Sequence, residues 1–242
     1  MSALWNEIWK KASAFSPISW YAEEFLQYLV RLSSTQESAL FLEPGAGSGR
    51  FGYHLSKRGI EIVALDFSRN SVRLLQTIKT KCGKGFHIVR ADVLHMPFRD
   101  YTFHVVYSEG LVEHFLKPHY ILREMTRVLR NFGILVFSAP NKFSFHTLGR
   151  FMVTKLMSKR WPYGYERSFS KNEVKRLLQS FGLKKIEVYG IGLFYGVGRY
   201  MPSPLQAFLN YINVRTRENK LGVVLTEHFG FQVIGKGEKQ CV

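Results

Sequence analysis

The amino-acid sequence predicts an α/β protein built around a doubly wound, seven-stranded sheet. Seven short apolar runs alternate with amphipathic helical patterns along the 242 residues, and this alternation is typical of parallel strands joined by helical crossovers. A glycine-rich turn at residues 43–49 follows the first run and precedes a helical pattern. Hydrophobic residues make up 46% of the chain, which argues against a disordered protein and supplies a sizeable core.

Residues 1–36 precede the first strand and are predicted to form a helical N-terminal cap. Two helical patterns within them carry large apolar side chains, namely Trp5, Ile8, Trp9, Phe15, Trp20, Tyr21, Phe25, Leu26 and Leu29. Aromatic side chains at this density pack either into a core or over a ligand. We expect most of them in the core, and we expect Trp20 and Tyr21 to reach across the glycine turn toward a ligand.

The glycine turn follows the first strand, residues 39–42, and has the sequence Glu43-Pro-Gly45-Ala46-Gly47-Ser-Gly49. Glycines admit positive φ angles and let a ligand approach the backbone, and the helix that begins after the turn presents free N–H groups. Residues 47–52 match the dinucleotide fingerprint, with Asp66 placed as a ribose-binding acid. The acid two positions before the first glycine instead suits a ligand that carries an ammonium group. The turn alone leaves both ligands open.

Six further strands are predicted, at residues 62–65, 86–89, 103–107, 134–138, 185–189 and 230–235. Between the fifth and sixth strands, residues 141–165 form a basic and aromatic insertion that we interpret as a lid. The insertion contains a predicted amphipathic helix with one apolar face, formed by Leu148, Phe151, Met152 and Leu156. A capping box, Ser170-x-x-Glu173, begins the next helix, and Ser203-Pro204 predicts another helix through Tyr211.

Five motifs, taken in order, resemble the class I S-adenosylmethionine (SAM)-dependent methyltransferases, in particular the small-molecule and quinone methyltransferases. They are the acid–glycine turn, Asp66, Asp92 after the third strand, the run from Phe103 to His114, and the segment from Arg123 to Asn141. The resemblance covers residues 37–190 well. It implies a methyltransferase domain at residues 37–242 with an antiparallel last strand, with SAM as cofactor and S-adenosyl-L-homocysteine as product.

The resemblance also implies a set of cofactor contacts. Glu43 and the backbone of Gly45, Ala46, Gly47 and Gly49 hold the methionine end of SAM. Asp66 binds both ribose hydroxyls, and Phe67 packs near the adenine. Asp92 accepts a hydrogen bond from the adenine amine beside Val93, and the backbone at Ser108 and Glu109 faces the methionyl ammonium. Carboxylates suit these positions because a diol or an exocyclic amine can pair with them when they are buried.

The sequence departs from the family pattern at two positions. His104 stands where the fourth strand usually has aspartate, which calls a structural hydrogen bond into question. Ser108-Glu-Gly-Leu111 replaces the Asn-Pro-Pro-aromatic tetrad, which argues against the amide and adenine N-methyltransferases that carry that tetrad.

Methyl transfer to a hydroxyl or a protonated nitrogen needs a base beside the reacting atoms. His114, just beyond the fourth strand, is the best placed candidate, and Glu113 and Glu109 are the others. The alternative for His114 is a helix-end histidine that is hydrogen-bonded to the backbone. The remaining histidines have no metal-ligand spacing, so no metal is predicted.

The chain carries a net charge of +16, and much of it lies in one segment. Residues 141–185 contain 11 Lys and Arg against two Glu, an excess that suits RNA, an anionic lipid surface or simply solvent. No apolar run is long enough to span a bilayer, and Cys82 and Cys241 are the only cysteines, so we expect a cytoplasmic protein without disulfides.

The sequence therefore predicts a SAM-dependent methyltransferase that acts on a small-molecule or lipid-like acceptor. One alternative is an RNA methyltransferase that uses the basic face of residues 141–185. The other is a nucleotide-binding subunit without turnover. The acceptor and the oligomeric state are not predicted, because fold does not determine function.

Overall fold

A seven-stranded sheet forms the centre of the computed structural model, which describes residues 2–15, 20–33, 39–82, 84–156, 161–193 and 219–241 and, besides these, 195, 204–205, 208–209 and 211–212. The strands, in chain order, are β1 (Leu40–Pro44), β2 (Glu61–Asp66), β3 (Phe86–Arg90), β4 (Phe103–Glu109), β5 (Leu129–Pro140), β6 (Lys184–Ile191) and β7 (Gln232–Glu238). Their order across the sheet is β3-β2-β1-β4-β5-β7-β6.

The sheet is parallel from β3 to β5, and β7 runs antiparallel to both of its neighbours, β5 and β6. This confirms the predicted α/β fold class, including the antiparallel last strand. The strand order reverses between β1 and β4, so the loops after these two strands diverge and leave a crevice at their carboxyl ends.

Helices cover both faces of the sheet. They are α1 (Ser2–Lys10), α2 (Trp20–Ser33), α3 (Arg50–Ser56), α4 (Arg69–Cys82), α5 (Pro118–Val128), α6 (Phe145–Phe151), α7 (Lys171–Ser180) and α8 (Lys220–Phe229). One core layer joins the sheet to α2, α3 and α4, and a second joins it to α5 and α7. No helix in the described residues has both the length and the apolar character needed to cross a membrane.

The two helices of the predicted cap have different surroundings. In α2, the side chains of Phe25, Leu26 and Leu29 are completely buried in the first core layer. Helix α1 instead packs on α4, where the Asn6 carboxamide oxygen accepts a hydrogen bond from the Ser68 hydroxyl at 2.7 Å. The side chains of Trp20 and Tyr21 lie outside the described residues, and the boundary at residue 36 stays a prediction.

The insertion after β5 contains the predicted amphipathic helix as α6, which continues into one π-helical turn, Met152–Leu156. Leu148, Phe151 and Met152 share a face that is exposed, whereas the Leu156 side chain lies outside the described residues. The helix predicted from Ser203 to Tyr211 also lies mostly outside them.

His104, which departs from the family pattern, takes part in a hydrogen bond between two neighbouring strands. The Leu40 N–H donates to His104 Nδ1 at 3.1 Å, which joins β4 to the first residue of β1. Partial burial lowers the pKa of His104, so the neutral ring can accept this bond at neutral pH.

Candidate functional site

Two adjoining chambers lie in the crevice at the carboxyl ends of β1, β2 and β4. The larger has a volume of about 280 Å³ and extends from Asp66 to His114. The smaller, about 160 Å³, lies between Glu43, the glycine loop and Glu109. Trp5, Trp9, Gly45 and Gly110 line both chambers, so the same aromatic side chains from α1 cover the whole site.

The glycine loop has the conformation that its sequence predicts. Gly45, Gly47 and Gly49 have φ angles of 69°, 54° and 71°, a region that other residues enter at a steric cost. A Cβ atom at Gly47 would lie 2.4 Å from the Trp9 ring, and one at Gly45 would lie 2.7 Å from Leu111. These glycines therefore allow Trp9 and Leu111 to pack directly against the loop.

Asp66 fixes the loop from the end of β2. Its Oδ2 accepts the Gly47 N–H at 2.9 Å, and its Oδ1 accepts the Ser68 N–H at 2.9 Å. Burial raises the pKa of this carboxyl, and the backbone hydrogen bonds oppose that shift. Because Asp66 also lines the larger chamber, it can hold the loop and present a carboxylate to a ligand.

The far wall of the larger chamber is mostly apolar. Phe67, Val93 and Leu94 line it together with Asp92. Asp92 is exposed, and its Oδ1 accepts the Leu94 N–H at 2.9 Å, which orients the carboxylate at the chamber's rim. An apolar slot with one acceptor at its edge suits a heteroaromatic base that carries an amine.

Glu43 lies at the base of the smaller chamber. Its Oε2 accepts hydrogen bonds from the Gly52 N–H at 3.1 Å and from the Tyr107 hydroxyl at 2.9 Å. Burial raises the pKa of Glu43 to about 8, although these bonds and nearby Arg50 oppose the shift. The carboxyl is therefore mostly protonated at neutral pH, and a cationic ligand group in the chamber would favour its ionised form.

Ser108 and Glu109 end β4 beside the smaller chamber. Glu109 forms an ion pair with Arg50 at 2.6 Å and accepts a hydrogen bond from the Gln232 carboxamide at 3.1 Å. The Ser108 hydroxyl oxygen is buried and has no hydrogen-bond partner among the described residues. These neighbours position the end of β4, and the ammonium contact expected of its backbone stays a prediction.

His114 lies in the larger chamber and has a defined tautomer. Its Nδ1 is 2.8 Å from the Tyr165 carbonyl oxygen, and because a carbonyl can only accept, Nδ1 carries the proton. Burial lowers the pKa of the ring, which leaves a neutral imidazole with a lone pair on Nε2. The sequence analysis treated a backbone hydrogen bond and a role as base as alternatives for His114. The structure shows that the two are compatible, because they use different ring nitrogens.

Glu113, the other catalytic candidate, has a different environment. It is buried and is not among the described residues that line either chamber. Burial raises its pKa well above the usual range, and the charges of Glu166 and Glu109 add to that shift. This shift disfavours the ionised form that a general base must have, so Glu113 is less suited to that role than His114.

The roof of the site comes from residues that the sequence did not single out for this role. Trp5 and Trp9 are four positions apart, so they share one face of α1. Their rings stack with centroids 6.0 Å apart, and Trp5 meets His114 edge to face at 4.7 Å. No described residue of the 141–165 insertion lines the two chambers, and its contact with the site is the Tyr165 carbonyl.

Comparison with known proteins agrees with this arrangement. Residues 42–137 match a family model described as a methyltransferase domain, and this stretch includes the glycine loop, Asp66, Asp92 and His114. Residues 42–137 therefore carry a methyltransferase domain, and the chain is similar to SAM-dependent methyltransferases. This similarity favours SAM over a dinucleotide as the ligand of the glycine loop.

Several curated relatives of the methyltransferase domain are similar in sequence. An uncharacterised protein of Methanocaldococcus jannaschii is 35% identical over 123 residues, which cover 50% of this chain and 49% of that protein. A probable SAM-dependent methyltransferase of Mycobacterium tuberculosis is 26% identical, over 64% of this chain and 52% of its own length. A ubiquinone biosynthesis O-methyltransferase of Parvibaculum lavamentivorans is 21% identical, over 78% of this chain and 81% of its own length. The chain thus spans about half of the length of the first two.

Solved structures share the fold of this methyltransferase domain. A phosphoethanolamine N-methyltransferase of Haemonchus contortus, determined with S-adenosylhomocysteine, has a TM-score of 0.67 and 15% identity over 98% of this chain and 57% of that one. The [4+2]-cyclase SpnF has a TM-score of 0.65 and 15% identity over 96% of this chain and 86% of its own. One of these proteins is named as a methyltransferase and the other as a cyclase, so the fold leaves the reaction open.

The buried Glu43 predicts a pH dependence of stability. The carboxyl of Glu43 has a pKa of 4.5 in the unfolded chain and about 8 in the folded protein. Between these two pH values the folded state binds more protons, so the contribution of Glu43 to the free energy of unfolding falls as pH rises. We expect Glu43→Gln to remove this fall. In urea titrations the stability of the variant relative to the parent protein should increase from pH 5.5 to pH 8. Glu7→Gln, at an exposed position on α1, is the control, and parallel pH curves for Glu43→Gln and the parent would contradict the raised pKa.

Proposed function

We propose that this chain is a SAM-dependent methyltransferase (EC 2.1.1.-) that transfers the methyl group to a small-molecule or lipid-like acceptor. The observation that carries the proposal is the pair of adjoining chambers, which place Asp66 and Asp92 around one and Glu43 and Glu109 around the other. The proposal also includes a cytoplasmic location, which stays a prediction.

The chambers differ in a way that suits the two ends of SAM. The larger offers Asp66 for a ribose diol and an apolar slot, Phe67 and Val93, with Asp92 at its rim for adenine. The smaller offers the glycine-loop backbone and Glu43 for the methionine end, where Glu109 is already paired with Arg50. The acids on both sides match the donors of the ligand, and the roof formed by Trp5 and Trp9 limits the access of water.

Bound SAM supplies an electrophilic methyl group on a sulfonium centre. The chain supplies position and a base: Trp5 and the Tyr165 carbonyl hold the His114 ring, and positioning of this kind accounts for much of a barrier reduction. His114 would accept the acceptor's proton at Nε2 while the new bond to the acceptor oxygen or nitrogen forms and the methyl–sulfur bond breaks. Because its pKa is lowered, His114 is in the required neutral state at pH 7.

The chamber walls and the names of the relatives support one class of acceptor. Leu111 and Phe115 line the larger chamber together with His114 and are apolar, which suits a small organic molecule better than a polynucleotide backbone. One relative is named for ubiquinone biosynthesis and another, from Staphylococcus haemolyticus, is named a demethylmenaquinone methyltransferase. These names support a small apolar acceptor over RNA.

The cofactor assignment predicts a specific loss in Asp66→Asn. This change keeps the shape of the side chain but removes its charge, so charge-assisted hydrogen bonds to the ribose are lost and SAM binding should weaken by about 1–3 kcal/mol. Isothermal calorimetry measures the effect, with thermal unfolding to verify the fold. Asp100→Asn, an exposed aspartate away from both chambers, should bind SAM as the parent does, and an Asp66→Asn protein that is folded and has unchanged affinity would refute the assignment.

The catalytic assignment predicts that His114→Gln slows the chemical step and not SAM binding. Loss of a general base costs about 10²–10⁴-fold in rate, measured as transfer of labelled methyl from SAM into extracted lipids and metabolites. With the parent protein the rate should fall as the pH drops below the pKa of His114, because Nε2 is then protonated, and the variant should lack this limb. Undiminished transfer by the variant would exclude His114 as the general base. If the parent protein transfers no methyl group into any of these pools, the alternative of a nucleotide-binding subunit without turnover is favoured.

A further inference from the structure

The helix in the 141–165 insertion turns its apolar face away from the protein. Leu148 and Phe151 on α6 are 57% and 54% exposed, and Phe143 and Met152 on either side of them are exposed as well. Amphipathic helices of globular proteins normally bury the apolar stripe. The orientation of α6 is therefore the reverse of the usual one.

Polar contacts on the inner face fix this orientation. Arg150 forms an ion pair with Glu166 and donates to the Ser168 hydroxyl, and the Thr147 hydroxyl donates to the Asn141 carbonyl at 2.7 Å. The His146 ring is buried and meets Phe231 edge to face, with centroids 4.7 Å apart. Rotating the helix to bury Leu148 and Phe151 would break these contacts, so the apolar face stays outside.

Helix α8 shows the same reversal independently. Leu221 and Val224 are 70% and 52% exposed, whereas the buried positions of this helix are Gly222 and Thr226. The buried side is small because the backbone of α8 approaches β6 closely: a Cβ atom at Gly190 would lie 2.4 Å from the Thr226 carbonyl oxygen.

The two reversed helices are neighbours at one end of the sheet. The Asn141 carboxamide, which precedes α6, donates to the carbonyl of His228 in α8 at 2.8 Å. The contact between His146 and Phe231 joins the same two segments. We call the exposed apolar side chains of α6 and α8, with Phe143 and Met152, the apolar surface; exposed apolar patches mark interaction sites.

Three lysines flank the apolar surface. Lys142 and Lys155 are exposed at either end of the α6 segment, and Lys220 begins α8. Residues 141–185 carry 11 Lys and Arg against two Glu within a chain of net charge +16. An apolar helical face flanked by lysines binds at the headgroup level of an anionic bilayer, where apolar burial and charge attraction act together.

We propose that the apolar surface docks this protein on an anionic lipid membrane. RNA fits less well: Phe143 and Phe151 have rings that can stack on a base, but the aliphatic side chains Leu148, Met152, Leu221 and Val224 offer neither a stacking ring nor a hydrogen bond. A second copy of the chain would bring two surfaces of the same positive charge together. The surface follows β5 at the same end of the sheet as the two chambers, so a lipid-like acceptor would enter them from the bilayer; this last step rests on the proposed function.

Vesicle binding tests the proposal directly. The full chain should cosediment with vesicles of phosphatidylglycerol and much less with phosphatidylcholine, and added salt should weaken the binding. The double variants Leu148→Gln/Phe151→Gln and Leu221→Gln/Val224→Gln should each lower partitioning at least tenfold, and Lys142→Glu/Lys155→Glu should lower it too. The matched controls are Tyr120→Gln on α5 and the charge reversal Lys79→Glu/Lys84→Glu, which should change partitioning less than twofold.

Three vesicle-binding results would overturn the proposal. They are parent protein that ignores anionic vesicles at low salt, apolar variants that bind as the parent does, and control variants that lose binding equally. Sedimentation velocity on the same samples tests for a dimer. A dimer that the apolar variants dissociate would also overturn the proposal, because it would assign the surface to a second copy. SAM titration of each variant keeps the two proposals apart, because loss of SAM binding counts against the proposed function and not against the membrane surface.

Discussion

Two buried carboxyl groups shape the site on which the rest of the structure depends. Asp66 holds the glycine loop through the Gly47 N–H, and Glu43 holds the start of α3 through the Gly52 N–H. The loop can therefore keep three left-handed glycines under Trp9 without a side chain of its own to anchor it. Burying two acids is costly unless they are hydrogen-bonded, and both are satisfied by backbone donors at the place where a cationic, polyhydroxylated ligand fits.

The two N-terminal helices have different roles: α2 is part of the core, and α1 covers the site. Helix α2 belongs to the core through Phe25, Leu26 and Leu29, so it serves as a fixed base. Helix α1 lies on α4 and brings Trp5 and Trp9 over both chambers, and its hydrogen bond to Ser68 ties the roof to the residue that also donates its N–H to Asp66. The roof and the loop are thus linked through one short segment after β2.

The sheet and the glycine turn could be predicted because local signals agree with the global fold at those places. Apolar runs mark six of the strands to within three residues, whereas β5 begins five residues before its predicted start. The glycines at residues 45, 47 and 49 supply the positive φ angles of the turn. The roles of Trp5 and Trp9 were missed because periodicity shows that they share a face but not what that face covers. The orientation of α6 was also hidden, since it depends on distant partners, Glu166 and Phe231, which no pattern within the helix reveals. The hydrogen bond of His104 was also not predicted, because the sequence does not show that its ring nitrogen lies beside the Leu40 N–H.

The most direct measurement of the central claim is a calorimetric titration of the purified chain with SAM, S-adenosylhomocysteine and NAD. If the chambers are the two halves of a SAM site, SAM and S-adenosylhomocysteine should each bind at one equivalent and compete with one another, whereas NAD should give no binding heat. Binding of NAD without binding of SAM would contradict the account, because it would assign the glycine loop and Asp66 to a dinucleotide.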